Sequence, residues 1–214
     1  MIGSASGSIA VSSSRPAVTV GRSGQIAVGS SILPHGRWRL DLAGEANHAG
    51  TTRLEDRRDP MLDLAAVVTT ARSAAKARGC VATVGKVTVV PNGVNAIPSA
   101  VTAWLDARGD SARAVAAEVG QAAGTAPVEE SYTPDIRFEP TLVTRLSRLL
   151  ADAPVLGTAA GHDAGILAAA GVPAAMLFVR NPTGVSHSPA EHAEREDCLA
   201  GVEALAAVIA ELAA

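Results

Sequence analysis

The sequence predicts a mixed chain, α+β over most of its length and α/β at its end. Three observations predict it. Between Arg37 and Phe138, strand-like and helix-like patterns follow one another in the order β-α-β-β-α-β. The helices of that stretch carry start and stop signals at Asp59-Pro60, Gly79, Asp110-Ser111 and Gly124. Beyond Pro140 a short continuous apolar run, Pro173 to Val179, has the length of a strand buried on both faces.

Taken in order, residues 1–23 are rich in Ser and Gly and are expected to be a flexible tail. Residues 24–35 follow as a separate strand: Gln25 to Leu33 is strand-like and closes at the turn-forming Pro34-His35-Gly36. In Arg37 to Gly44, Trp38, Leu40 and Leu42 alternate with Arg37, Arg39 and Asp41, the period of a strand with one wet face. Glu45 to Arg58 is a polar loop. An Asp cap, an early Pro and a terminal Gly frame a helix from Asp59 to Arg78. Val81 to Pro91 is a strand, Asn92-Gly93 a turn, and Ala100 to Arg108 a further strand. An Ala-rich helix and a fourth strand, Val128 to Phe138, complete the module. This is the ferredoxin-like split βαβ pattern, assigned to residues 36–139.

Residues 140–214 carry a helix (Thr141 to Ala151), a strand-loop-helix around Gly157 to Gly171, the run Pro173 to Val179, and an amphipathic helix from Ala193 to Leu212. These pieces offer too few strands for a sheet of their own. Gln25 to Leu33 supplies one partner strand, which is not enough, so Pro173 to Val179 is expected to expose apolar surface and favour association.

Composition narrows the function classes. Hydrophobic residues make up 48% and charged residues 18%, which excludes global disorder. With a net charge of -3 and no basic block, nucleic acid is not an expected partner. No run nears the roughly 18 apolar residues of a membrane span, and the N-terminus lacks the build of a signal peptide. Cys80 and Cys198 lie outside any CxxC pattern and read as reduced thiols, so the expected location is cytoplasmic.

The residues suited to chemistry cluster in Gly161 to His192, which holds His162, His187, His192, Asp163 and Glu191. His187, in a polar loop after the buried run, is either a ligand for a divalent metal such as Zn²⁺ or a surface residue. Asp163 reads equally as a partner orienting a metal-bound His or as a helix cap. Glu191 and His192 fall at the start of the last helix, where charge against the helix dipole is the plainer role. His48, flanked by Asn47 and Gly50 in the polar loop, is suited to polarising a carbonyl. Asn95 and Arg108 bracket a strand. They could hold an amide and a carboxylate, or serve a turn and a surface salt bridge. Glu129 and Glu130 should point to opposite faces of one strand and are read as structural.

Three motifs resemble a known family: GEANHAGTTRLEDRRDP (Gly44 to Pro60), PNGVNAIPSAVTAWLDAR (Pro91 to Arg108) and GHDAGILAAAGVPAAMLFVRNPTGVSHSPAEH (Gly161 to His192). In this order they are similar to the amidase/carbamoylase branch of the dinuclear-zinc aminoacylase and carboxypeptidase superfamily. Its members include allantoate amidohydrolase, N-carbamoyl-L-amino-acid hydrolase and β-ureidopropionase. The resemblance covers Gln25 to Leu212. It implies a catalytic domain with two Zn²⁺ or Mn²⁺ ions and an inserted ferredoxin-like lid that mediates homodimerisation. It further implies that His187 is a metal ligand, that His48 assists at the scissile carbonyl, often in the partner subunit's site, and that Asn95 and Arg108 grip the amide and carboxylate of a small ureido or amide substrate. Gly161 to Asp163 match the loop beside the substrate.

The family's remaining metal ligands and its general-base Glu lie before the lid. Here that place holds Met1 to Gly24, which contain no His, Asp or Glu. The resemblance therefore implies the C-terminal half of such an enzyme: a lid plus an incomplete part of the zinc-hydrolase domain. The expected function is metal-dependent hydrolysis of a linear C–N bond, with the chain inactive alone and a separate N-terminal half as a candidate partner. The alternative is a non-catalytic dimerisation module or one piece of a split enzyme.

Overall fold

The computed structural model describes the backbone of Ile2–Ser4 and residues 24–213. In chain order the elements are β1 (Ile2–Ser4), β2 (Ile26–Ile32), β3 (His35–Ala43), β4 (Asn47–His48), α1 (Pro60–Ala77), β5 (Val81–Val90), β6 (Ala96–Ile97), β7 (Ala100–Arg108), α2 (Ala112–Ala122), β8 (Val128–Thr133), β9 (Ile136–Arg137), α3 (Pro140–Leu149), β10 (Val155–Thr158), α4 (Asp163–Ala169), β11 (Leu177–Val179) and α5 (Arg195–Ala213). The fold is mixed α/β. It divides into two compact units, Pro34–Pro134 and the combination of Met1–Leu33 with Asp135–Ala214.

In the unit Pro34–Pro134, four antiparallel strands lie in the order β5-β7-β3-β8. Strand alternation decides which face is covered. Val101, Ala103, Leu105 and Ala107 on β7 are buried, as are Trp38, Leu40 and Leu42 on β3, while Arg37 and Asp41 stay exposed. Val67, Ala71, Ala74 and Ala75 of α1 and Val115, Ala116 and Val119 of α2 close this core. Side chains this small let the helices approach the sheet closely, so close packing replaces the bulk that aromatics would supply. The start of α1 is set by Asp59, whose carboxylate accepts from the Met61 N–H at 3.0 Å, with Pro60 at the first helical position.

The fourth strand expected over Val128 to Phe138 is corrected. It breaks at Pro134: β8 pairs with β3, whereas β9 pairs antiparallel with β2, Ser31 opposite Arg137 and Ile32 opposite Ile136. Proline removes a ladder donor, and the chain uses that interruption to pass from one sheet to another.

The second unit holds the path β1-β11-β2-β10, with β9 also on β2. β10 runs parallel to β2, and β11 antiparallel to it. Val28, Ile32, Phe138, Leu146, Leu177 and Phe178 form its core, with Ala204 and Val208 of α5 against them. The expectation that Gln25 to Leu33 is a lone partner strand is thus corrected: β2 is bordered by three others. Strand geometry in the run Pro173 to Val179 is confined to Leu177–Val179, and all three residues are buried, so this run is not an exposed apolar edge. Of the expected tail, Ile2–Ser4 form a strand parallel to β11; the rest lies outside the described residues. No helix among the described residues is long and apolar enough to cross a membrane.

Candidate active site

His48 ends the two-residue strand β4, which pairs with β6, placing His48 opposite Ala96. A ladder this short forms because the loop closes on itself. The His48 carbonyl accepts from the N–H groups of Thr51 and Thr52 at 3.3 and 3.1 Å and from the Thr52 hydroxyl at 2.8 Å. The Gly50 N–H donates to His48 Nδ1 at 3.0 Å. With Nδ1 accepting, the neutral imidazole carries its proton on Nε2, and the ring is exposed. A β-carbon on residue 50 would lie 3.2 Å from His48 Cε1, so glycine there leaves the ring its room. The arrangement presents a hydrogen-bond donor on a fixed loop, which is what a developing oxyanion requires.

Asn95 is brought beside this turn: its carbonyl accepts from the Ala49 N–H at 2.9 Å, and the residue is exposed. Arg108 is not. β7 begins at Ala100, opposite Ala43 at the His48 end of the sheet, and Arg108 closes the strand opposite His35. Eight residue steps separate the two ends, roughly 27 Å at strand rise. The Arg108 guanidinium meets Asp106 in a fork, Nε to Oδ1 at 2.7 Å and Nη2 to Oδ2 at 3.1 Å. Both side chains keep a little over a quarter of their surface, 28% and 29%. They line a shallow pocket of about 290 Å³ with Val81, Ala82 and Thr83.

Sequence reasoning missed Arg57. A one-turn 3-10 helix, Leu54–Asp56, returns the chain so that Arg57 donates to the Ala49 carbonyl at 2.6 Å and to the Thr52 carbonyl at 2.9 Å, the latter also from Nε at 3.2 Å. A loop whose carbonyls have no strand partner needs such a donor. The signal available was the Arg57-Arg58 pair in an otherwise turn-like segment. Glu129 and Glu130 do part to different neighbours: Glu129 receives both arms of Arg113 at 3.0 Å, and Glu130 receives the Trp104 indole N–H at 3.3 Å. The Arg113 pairing holds the Glu129 carboxyl below its ordinary pKa.

His187 and Gly161 belong to the other unit. Their loops leave its sheet from opposite ends of β2, since Thr158 pairs with Ile32 while Val179 pairs with Ile26. His187 sits in the left-handed region at φ 57°, and its N–H donates to Glu191 Oε2 at 3.0 Å. Asn181 braces the same loop by donating to the Val185 carbonyl at 2.8 Å. Glu191 and His192 therefore precede the last helix, which starts at Arg195, and the expectation that they open it is corrected. Gly161 is exposed; His162 caps α4, Nδ1 accepting from the Ala164 N–H at 3.1 Å, and Asp163 is the first helical residue.

The base of the His187 loop is tied by a residue no pattern marked. Asp197, fully buried in the first turn of α5, accepts from Arg180 Nε and Gln25 Nε2, each at 2.9 Å. Cys80 is buried and Cys198 exposed, both as free thiols. As a metal centre, the described residues do not suffice. Among them no three His, Cys, Asp or Glu side chains converge, and a catalytic zinc takes about three protein ligands.

The chain belongs to peptidase family M20/M25/M40, whose model matches residues 12–211. Among curated relatives, an N-carbamoyl-L-amino acid amidohydrolase of Geobacillus stearothermophilus is 33% identical over 193 residues, covering 82% of this chain and 47% of the relative. The allantoate amidohydrolase of Escherichia coli K12 is 32% identical over 206 residues, covering 88% and 50%. A solved amidase of the hydantoinase/carbamoylase family from Burkholderia vietnamiensis superposes with a TM-score of 0.84 at 26% identity, over 97% of this chain and 52% of that one. The chain spans about half the length of the relatives it matches.

Proposed function

We propose that the chain supplies the substrate-holding parts of a metal-dependent amidohydrolase acting on the linear C–N bond of an N-carbamoyl amino acid or an allantoate-like ureido acid. The observation that carries this reading is the His48 turn: Gly50 fills Nδ1, and Nε2–H has no acceptor among the described residues, on an exposed, hydrogen-bonded loop with Asn95 alongside. In this reading His48 donates to the carbonyl oxygen as the carbon becomes tetrahedral, and the Asn95 amide helps hold the ureido group. Arg108 receives the substrate carboxylate in its fork, with Asp106 yielding part of that fork. Gly161 lines the substrate, and His187 is one ligand of the Zn²⁺ or Mn²⁺ pair. One imidazole does not make that metal site, so no metal-borne step is assigned to this chain.

Pro34–Pro134 is then a ferredoxin-like lid, a reading supported by its β-α-β-β-α-β order with the last strand beside the first. Because His48 and Asn95 stand at one end of β7 and Arg108 at the other, one small substrate does not reach both ends of the same lid. This supports homodimeric sites in which the two ends serve different copies. A second reading, a non-catalytic pairing module, is favoured by β5, ten residues long and, among the described strands, bonded to β7 alone.

Binding decides between them. N-carbamoylglycine and allantoate, titrated into the isotopically labelled 214-residue chain, should produce saturable shifts that Arg108→Ala and His48→Ala each weaken about tenfold or more. Shifts that ignore all of His48→Ala, Asn95→Ala and Arg108→Ala would overturn the substrate-holding role. Loaded with Zn²⁺ or Mn²⁺, the purified chain should hydrolyse neither compound faster than its His187→Ala variant.

A further inference from the structure

We infer that Arg57 is a positioning residue that sets the tautomer and the aim of the His48 imidazole. One peptide plane links the two residues. The Ala49 carbonyl and the Gly50 N–H belong to the same planar trans unit, so they point in opposite directions. Arg57 Nη2 holds the carbonyl end at 2.6 Å. The N–H end points at His48 Nδ1, 3.0 Å away.

A charged donor on the carbonyl polarises the amide and makes its N–H a better donor, as bonds in a chain strengthen one another. The same Arg57 nitrogen also holds the Thr52 carbonyl at 2.9 Å, and Thr52 returns its N–H and hydroxyl to the His48 carbonyl. The guanidinium thus fixes His48 twice, through its ring and through its backbone. Without it, the Ala49-Gly50 peptide is free to rotate, Nδ1 loses its donor, and the ring protonates on either nitrogen. The catalytic meaning of this rests on the role proposed for His48; the tautomer itself does not.

The test uses two-bond imidazole NMR spectra of the ¹⁵N-labelled 214-residue chain. Wild type should show His48 with a protonated Nε2 and a bare Nδ1. Arg57→Gln should lower that preference roughly three- to tenfold, the worth of one lost hydrogen bond. Arg57→Lys, which keeps a single charged donor, should fall between. Gly50→Ala should disturb the ring with Arg57 intact, since its β-carbon would sit 3.2 Å from Cε1. A purely structural role predicts no selective change at His48, with His35 and His162 as internal references. If Arg57→Gln unfolds, Arg57→Lys carries the test, and a wild-type His48 tautomer there overturns the inference. Titration with N-carbamoylglycine separates the two ideas. A tautomer that depends on Arg57 while the ligand leaves His48 unmoved sinks the proposed function alone. A ligand that moves His48 equally in wild type and Arg57→Gln sinks the positioning role alone.

Discussion

Arg180 donates to Asp197 across 2.9 Å, joining the strand end that launches the His187 loop to a carboxylate with no exposed surface. The pair is asymmetric: Arg180 retains 31% of its side-chain surface and Asp197 none. Removing the partner of a buried charge is more damaging than removing an exposed one. Arg180→Ala should therefore destabilise the unit by about 3 kcal/mol in urea unfolding. Asp197→Asn, which keeps an acceptor for Gln25, should cost less. Equal losses would mean that Asp197 contributes through packing and not through charge.

Gly44 makes a prediction about the His48 loop. A β-carbon there would meet Pro60 Cδ, at the first residue of α1, at 2.4 Å and the Arg58 carbonyl, just before the helix cap, at 2.6 Å. Gly44→Ala should cost about 1–3 kcal/mol. It should also speed amide exchange at Glu45, whose N–H bonds the Arg58 carbonyl at 2.9 Å.

Acid should act on the cap of α3. The Glu139 carboxylate accepts from the Leu142 and Thr141 N–H groups, and these bonds hold its pKa below the ordinary value. A carboxyl depressed in the folded state contributes stability above its unfolded pKa, about 4.3, and loses it as pH falls through the lower folded value. Wild type should thus lead Glu139→Gln at neutral pH, with the gap closing in acid. A gap in melting temperature that stays constant down that range would remove the cap from the acid response.

Leu105 is fully buried under α1 and α2. Leu105→Ala should cost about 2–5 kcal/mol, the spread depending on how far the neighbouring alanines collapse into the space. Hydrogen exchange should locate the loss in β3, β5 and β7.

What the sequence made legible follows from where local chemistry decides structure. Asp59, Pro60 and Gly79 bounded α1 nearly to the residue because capping is local. The alternation of Trp38, Leu40 and Leu42 identified the buried face of β3. Pro134 was harder. Apolar alternation continues across it into Ile136 and Phe138, and periodicity does not say that the two sides join different sheets. β4 and β6 are two-residue ladders with no period to read. The site divides in the same way. His48, Asn95 and Arg108 stand out in the sequence as candidate residue types in loops and at strand ends, but that Arg108 lies at the far end of β7 from the other two needed the ladder register. Arg57 and Asp197 act through carbonyls and a distant guanidinium, and no sequence pattern encodes those partners.

β2 and β9 are antiparallel neighbours, Ser31 facing Arg137 and Ile32 facing Ile136, and the whole unit Pro34–Pro134 is strung between them. Topologically that unit occupies the loop of a β-hairpin. Its two connections therefore leave from adjacent positions on one ladder, the arrangement in which an insertion leaves the host register untouched. Replacing Pro34–Pro134 by a two-residue Asn-Gly turn would ask the host sheet only to close an ordinary hairpin.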